Sequence, residues 1–370
     1  MSRYAETYAA WQADPQGFWQ EAAKEIDWFT PATSVFNPDI GVYGRWFDGA
    51  TCNTCYNCVD RHVADGHGDR LAVIHDSPVT GQVTRHTYAE VQAQVSALAS
   101  VLRGMGVAKG DRVVIYMPMV AEAVFAMLAC ARLGAVHSVV FGGFAAAELA
   151  TRIEDATPRA VISASCGIEV NRVIEYMPLL NGAIELAKHK PGHCIVLQRP
   201  EAKAELTKGR DIDWAEAMES AEPADCVPVA ATDPLYILYT SGTTGRPKGV
   251  MLSFDNLIIT GRNGVIRENL TEDEAMLAYL PMAWIGDNIF SVAQAYVTGF
   301  CVSCPESSET VLEDLREIGP TYFFAPPRIY ESLLTTVMIR IEDAARIKQR
   351  MFHYFMGVAR RVGMDILDGK

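Results

Sequence analysis

No apolar run in this 370-residue chain is long enough to cross a bilayer as a helix, because Arg, Asp, Glu or Gly interrupts each one. The opening stretch MSRYAETYAAWQADPQGFW lacks the apolar core of a secretory signal. Basic charge is also short: 32 Lys and Arg face 45 Asp and Glu, for a formal net charge of −13. Without a basic tract the chain has no general electrostatic footprint for nucleic acid. A phosphate-bearing ligand must then be held locally, by backbone amides and a few placed cations. Nine cysteines without a secretory signal point to thiols in a reducing compartment, so a cytoplasmic chain is expected.

What is present is length and apolar content. Hydrophobic residues make up 49% of the chain, enough for a sizeable core and more than one domain or subdomain. Residues 1–65 form a leader with Trp11, Trp19, Trp28 and Trp46 at irregular spacing between prolines, which reads as short helices and loops.

Residues 66–232 then alternate regularly. Thr87-Tyr-Ala-Glu90 is a capping box before a helix with Val91, Val95, Leu98 and Leu102 on one face. Arg112–Tyr116 is a continuous apolar run, as a strand buried on both faces requires. A helix over 120–132, a strand over 136–141, a helix over 145–156 and a strand over 159–164 follow. A helix is expected from Val173 to Leu186 and a strand over 194–197. Residues 200–233, charged and weakly patterned, read as a surface connection.

In residues 233–370, strands are expected at 235–239, 275–280, 300–304 and 321–325, with helices between them and a helical close from 328 onward. The series β-α-β-α-β predicts an α/β fold of two subdomains with mostly parallel sheets. The chain ends on helix with no terminating strand, so it reads as truncated.

One loop carries chemistry: Tyr239-Thr-Ser-Gly-Thr-Thr-Gly-Arg-Pro-Lys-Gly-Val250. Gly242, Gly245 and Gly249 let backbone approach a ligand closely, and successive amides in such a loop can converge on an anion. Thr240, Ser241, Thr243 and Thr244 add hydroxyl donors, and Lys248 adds one mobile cation. That inventory suits a polyphosphate with its magnesium ion. It is not a Walker loop, because Pro247 stands where the second Gly would be.

This run resembles the phosphate-binding signature of the adenylate-forming, AMP-binding superfamily of acyl-CoA synthetases. Residues 1–250 resemble a propionyl- or acetyl-CoA synthetase, through Arg45-Trp-Phe47, Asn53-Thr-Cys-Tyr-Asn57, Asp60-Arg-His-Val63, Gly110-Asp-Arg-Val113 and Val140-Phe-Gly-Gly-Phe144. Gly167-Ile-Glu169 followed by Arg172 leans towards the propionyl type. Residues 251–370, with Leu280-Pro-Met-Ala-Trp-Ile-Gly-Asp287 and Phe324-Ala-Pro-Pro-Arg328, resemble a long-chain fatty acyl-CoA synthetase.

The resemblance implies the large N-terminal domain of an adenylate-forming enzyme. It implies an ATP-dependent, AMP-forming carboxylate-CoA ligase for a short-chain acid such as propionate or acetate, with ATP, Mg2+ and CoA. A long-chain fatty acid-CoA ligase and a non-catalytic nucleotide-binding fragment are the alternatives. By the same resemblance Thr240–Gly245 and Lys248 hold the ATP phosphates, with Lys248 and Thr244 catalytic. Phe141, Gly142, Gly143 and Arg172 face CoA, and Trp284, Gly286 and Asp287 line the acyl pocket. A second arginine of acetyl-type members stands here as Glu169. The family's adenine motif, ribose motif and C-terminal lid with its lysine are not found, so the 370-residue chain is expected to be weak or inactive.

Cys52, Cys55 and Cys58 with His62 have the spacing of a metal knuckle. Only Cys55 matches the family's pattern, and small buried hydrophobes are the favoured reading, with no metal site expected. Cys301 and Cys304, three apart on an expected strand, face opposite ways. Glu313, Asp314, Arg316 and Glu317 read as a solvated helix face.

Overall fold

The computed structural model describes residues 3–42, 44–77, 79–169, 172–219, 221–240, 248–282, 284–305, 310–342 and 344–367. The chain divides into two compact units, Ala22–Tyr322 and a smaller one from Met1–Glu21 with Phe323–Lys370.

Two larger sheets, with three two-stranded ones beside them among the described residues, build the larger unit. Strands β1 (Leu71–Ser77) and β2 (Gln82–Thr87) form a hairpin, followed by β3 (Arg112–Met117), β4 (Val136–Phe141), β5 (Ala160–Ala164), β6 (His193–Leu197) and β7 (Asp211–Asp213). Then come β8 (Pro234–Thr240), β9 (Lys248–Ser253), β10 (Ala275–Leu277) and β11 (Cys301–Pro305). The seven-stranded sheet runs β7-β6-β5-β3-β4-β8-β9, and the four-stranded sheet runs β10-β11-β1-β2. All rungs of the first are parallel except the β8–β9 hairpin, and all of the second except β1–β2. Both sheets therefore take strands from each side of residue 233, the boundary read from the sequence.

Continuous apolar sequence explains the central strands. Every residue of β5 is buried, as are Val113–Met117 of β3, the outcome expected where helices cover both faces of a parallel sheet. Helix α1 (Tyr88–Gly104) starts at the Thr87–Glu90 capping box. Glu90 Oε2 accepts from the Thr87 amide at 2.8 Å, and Thr87 Oγ1 accepts from the Glu90 amide at 3.3 Å. Its apolar stripe Val91, Val95, Leu98 and Leu102 is buried. Helix α2 (Ala121–Leu133) closes at Gly134 in the left-handed conformation, and α3 (Ala146–Ala156) and α4 (Tyr176–Leu186) follow as crossovers.

Four sequence expectations need correction. Residues Arg172–Glu175 are not helix but strand, paired antiparallel with Cys166–Glu169, so α4 begins only at Tyr176. The stretch 200–233 is not merely a surface connection. It supplies edge strand β7, the helix Trp214–Glu219 and the pair Val229–Ala230, and buries Trp214, Ala224, Val229 and Ala231. Its elements are too short to leave a period in the sequence. Thr321–Ala325 forms no strand, only a bridge from Tyr322 to Met276. Asp314 is fully buried on the same helix face as Val311, where its carboxylate accepts from Thr310 Oγ1 at 2.8 Å. Burial pushes that carboxyl up to about 6.

The smaller unit holds the helices Arg3–Ala13, Pro327–Glu342 and Arg346–Leu367, the last two packed against each other. Among the described residues no helix is long and apolar enough to cross a membrane.

Candidate active site

The chemistry-bearing loop is held by the β8–β9 hairpin. Thr240 and Lys248 are direct cross-strand partners, so the seven residues between them leave and re-enter at one point. Strand β8 runs parallel to β4, with Tyr236 opposite His137. Thr240 thus stands at the carboxyl ends of the parallel strands, where open α/β sheets bind ligands. Ser241, Gly242, Thr243, Thr244 and Gly245 lie outside the described residues.

Beside that hairpin, β4 ends at Phe141 and the chain turns through Gly142 and Gly143. Space requires glycine at 142, and backbone conformation favours it at 143. A Cβ on Gly142 would stand 2.3 Å from the Tyr176 hydroxyl and 3.0 Å from the Met117 carbonyl oxygen. Gly143 has φ +85° and would meet Glu169 Oε1 at 3.2 Å. Glu169 pairs with Arg172 at the end of the small antiparallel hairpin. The turn, Glu169 and the Arg172 strand are therefore brought together, although they are separated in sequence. Tyr176 contributes what the sequence did not signal. Its hydroxyl is also within 2.3 Å of a Cβ built on Gly167, and its ring packs on Tyr116 at 4.9 Å between centroids. Tyr116 in turn donates to the Phe144 carbonyl at 3.0 Å.

Arg152 joins the two halves of this edge. Its guanidinium lies 5.0 Å from the Phe144 ring centroid and 5.4 Å from that of Tyr239, the residue before Thr240. Glu148 holds it from the preceding helical turn at 2.9 Å. The Tyr239 hydroxyl donates to Asp155 Oδ2 at 2.7 Å, and burial, helped by that carboxylate, pushes its pKa up. A single helix, α3, thus anchors both the Gly-Gly turn and the base of the hairpin. Arg152 and Asp155 carry no sequence signal of that role.

Trp284, Gly286 and Asp287 sit at the start of the helical run from Ile285 to Thr298, which widens into π-helical turns over Asn288–Ala293. They do not share an environment. Trp284 is 57% exposed, while Asp287 is buried and accepts from Ser291 Oγ at 3.0 Å. Asp287 borders a cavity of about 40 Å³, lined also by Val73, Tyr88, Met127, Tyr296 and Phe300. Burial pushes its carboxyl up to about 7, against the pull of the Ser291 hydroxyl.

Cys52, Cys55 and Cys58 are all buried, and His62 instead places Nε2 3.3 Å from the Tyr296 carbonyl. Among the described residues the one group of potential metal ligands is Cys55, Asp60 and Cys226, which the spacing of the knuckle did not indicate. On β11, Cys304 is buried and Cys301 partly exposed.

The profile of the AMP-binding enzyme family matches residues 60–360, and that described as the acetyl-coenzyme A synthetase N-terminus matches residues 4–58. The chain is 51% identical over 249 residues to mitochondrial acyl-CoA synthetase short-chain family member 3 of Rattus norvegicus, a span of 67% of this chain and 36% of that protein. It is 45% identical over 256 residues to the acetyl-coenzyme A synthetase of Xanthobacter autotrophicus, 68% of this chain and 39% of the relative. Mitochondrial acyl-CoA synthetase short-chain family member B of Dictyostelium discoideum is 41% identical over 309 residues, 80% of this chain and 45% of the relative. Among solved structures, the acetoacetyl-CoA synthetase from Streptomyces lividans superposes with a TM-score of 0.76 at 22% identity, over 85% of this chain and 49% of that one. At that identity the likeness is one of fold. The chain spans less than half the length of these relatives.

Proposed function

The chain belongs to the AMP-binding enzyme family, and from that premise we propose that it carries the phosphate-handling part of a ligase joining a short-chain carboxylic acid, such as propionate or acetate, to CoA. In the proposed first step a carboxylate oxygen attacks the α-phosphorus of ATP. The bond from that phosphorus to the bridging oxygen breaks, and pyrophosphate leaves. In the second step the CoA sulfur attacks the acyl carbon and AMP departs. Free carboxylate needs this activation because its own leaving group would be oxide.

The observation that carries the reading is the rung between Thr240 and Lys248 at the carboxyl edge of the parallel strands. It pins both ends of a Gly- and hydroxyl-rich segment where a ligand's phosphates would meet it. Lys248 is assigned to charge on the departing pyrophosphate, and Thr240–Gly245, including Thr244, to the β- and γ-phosphates. A bound Mg2+ would neutralise charge on those same phosphates. The turn Phe141–Gly143 and Arg172 are assigned to CoA, and Trp284, Gly286 and Asp287 to the acyl side. The short-chain choice draws support from the relatives named for short-chain acids and acetate. The match of 309 residues to the Dictyostelium protein also reaches beyond residue 250, into the part whose sequence resembles long-chain enzymes. A cytoplasmic setting belongs to the same reading.

The test pairs ATP binding with acid-dependent exchange of pyrophosphate into ATP, using propionate, acetate and a long-chain acid in parallel. Lys248→Ala should weaken ATP binding about 10-fold or more, and lower exchange by about 100-fold or more. Unchanged values for both would refute the assignment. Binding without exchange for any acid identifies a nucleotide-binding protein instead, and exchange confined to the long-chain acid overturns the substrate class.

A further inference from the structure

Away from the sheet edge, a set of reactive groups lies where residues 224–227 cross α2. Cys55 is fully buried and Cys226 partly exposed. Their sulfurs and one oxygen of Asp60 lie within 4.8 Å of one another. The Cys55 and Cys226 thiols both donate to Asp60 Oδ2, at 3.9 and 3.7 Å. Arg132 completes the knot. Its Nη1 donates to Asp60 Oδ2 at 2.7 Å and to Cys55 Sγ at 3.5 Å, its Nη2 to Asp60 Oδ1 at 3.0 Å, and its Nε to the Ala224 carbonyl at 2.5 Å.

Two sulfurs and a carboxylate at this spacing suit a soft metal ion, but the cationic position is taken. The guanidinium already neutralises Asp60, and a metal would have to expel it into a buried site with no counter-charge. What remains is a pair of neighbouring thiols, one in a partly exposed residue and the other fully buried.

We propose that Cys55 and Cys226 are a modification site that closes to a reversible disulfide when a hydroperoxide oxidises the pair. The sulfur of Cys226, the partly exposed member, attacks one peroxide oxygen and the O–O bond breaks: that oxygen stays on the sulfur as a sulfenic acid, and the other leaves with the S–H proton as water or alcohol. The Cys55 sulfur then attacks Cys226, the S–S bond forms, and the sulfenic oxygen departs as water with the Cys55 proton. Two thiols lose two electrons in total and the peroxide gains them. A low-molecular-weight thiol reverses the step by exchange.

The contact with Cys55, burial and the Asp60 carboxylate all hold the Cys226 thiol protonated, so the reaction is slow beside that of a thiolate sensor. The bond would fasten residues 224–230 to residues 53–60. Those residues lead directly into β8, whose far end carries Thr240, so the cross-link tethers the support of the phosphate loop to the leader. Cys52 and Cys58, buried in the same stretch, lie outside the triad.

The reduced full chain is treated with hydrogen peroxide, alkylated, digested without reductant and read by mass spectrometry. The expected result is one linked peptide pair, Cys55 with Cys226, lighter than its parts by two hydrogen masses and lost on dithiothreitol. The oxidised wild type should also melt several degrees above the reduced form, because the bond restricts the unfolded chain. Oxidised and reduced Cys226→Ser should melt alike, and Cys55→Ala serves as the same control if that variant misfolds. The proposal fails if Cys226 proceeds to sulfinic acid with Cys55 unlinked, or if Cys226 pairs with another cysteine. It fails equally if one equivalent of zinc protects both thiols of the reduced chain from alkylation.

Discussion

Replacing Arg132 by Met isolates the energetics of the buried knot. Asp60 is 9% exposed, and among the described residues the variant leaves it the Gln92 amide at 2.9 Å and two weak thiol donors. It loses two charge-assisted bonds, while the Ala224 carbonyl loses its donor. Leaving one member of a buried ion pair unpaired costs about 3–5 kcal/mol. Unfolding entropy near 2.1 cal/mol/K per residue gives roughly 0.6 kcal/mol/K for the Ala22–Tyr322 unit. The melting temperature should then fall by about 5–8 °C, read by circular dichroism and checked by urea titration. The double variant Asp60→Leu with Arg132→Met removes both charges and should recover most of that loss, whereas Asp60→Leu alone strands the guanidinium. A single-variant cost below about 1 kcal/mol, or a double variant costing the sum of its singles, would show that the pair does not act as a unit.

Other perturbations reach other parts of the molecule. Asp287 has a folded pKa of about 7 against an ordinary 3.8, so the folded chain binds that proton more tightly than the unfolded one. Stability should fall as pH rises from about 4 to 7, by at most about 4 kcal/mol. Asp287→Asn should flatten that part of the profile in chemical denaturation, and an unaltered slope would reject the buried carboxyl as its source. Gly142→Ala drives a methyl into the Tyr176 hydroxyl and should cost about 1–3 kcal/mol. Adding Tyr176→Phe should return part of this, and an equal cost in both backgrounds would exonerate the hydroxyl. Thr87→Ala opens the capping box of α1 and should cost about 1 kcal/mol in thermal unfolding, with no change counting against the cap.

Much of the fold was legible because period and punctuation agreed. The capping box, the apolar stripe of α1 and the continuous run of β3 each state one local conformation. Failures came where tertiary pairing overrode local pattern. Arg172–Glu175 extends because Cys166–Glu169 offers it a partner, and β7 is three residues that exist only as a sheet edge. Of the candidate site, the strand entering the loop and the Gly-Gly turn at a strand end could be read from the sequence, whereas β9, the strand returning from the loop, was not expected. Arg152, Asp155 and Tyr176 could not, because an arginine stacked on two rings or a hydroxyl filling a space left by glycine has no spacing of its own. Asp60, Arg132 and Cys226 were hidden for the same reason. They meet only after the chain has travelled from the leader to the segment before β8.

The interleaving of the sheets sets where this polypeptide can be cut. Strand β1 finds its parallel neighbour β11 only after more than two hundred intervening residues, and β8 seats itself on β4 from across the 233 boundary. A nick near residue 232 in the folded molecule severs no rung, so the pieces should stay together through gel filtration. Expressed separately, the same pieces would each expose the bare side of β1, β4 or β11 to the solvent, the geometry that invites strand-to-strand aggregation. A split version should therefore regain its fold only when both pieces are made in the same cell.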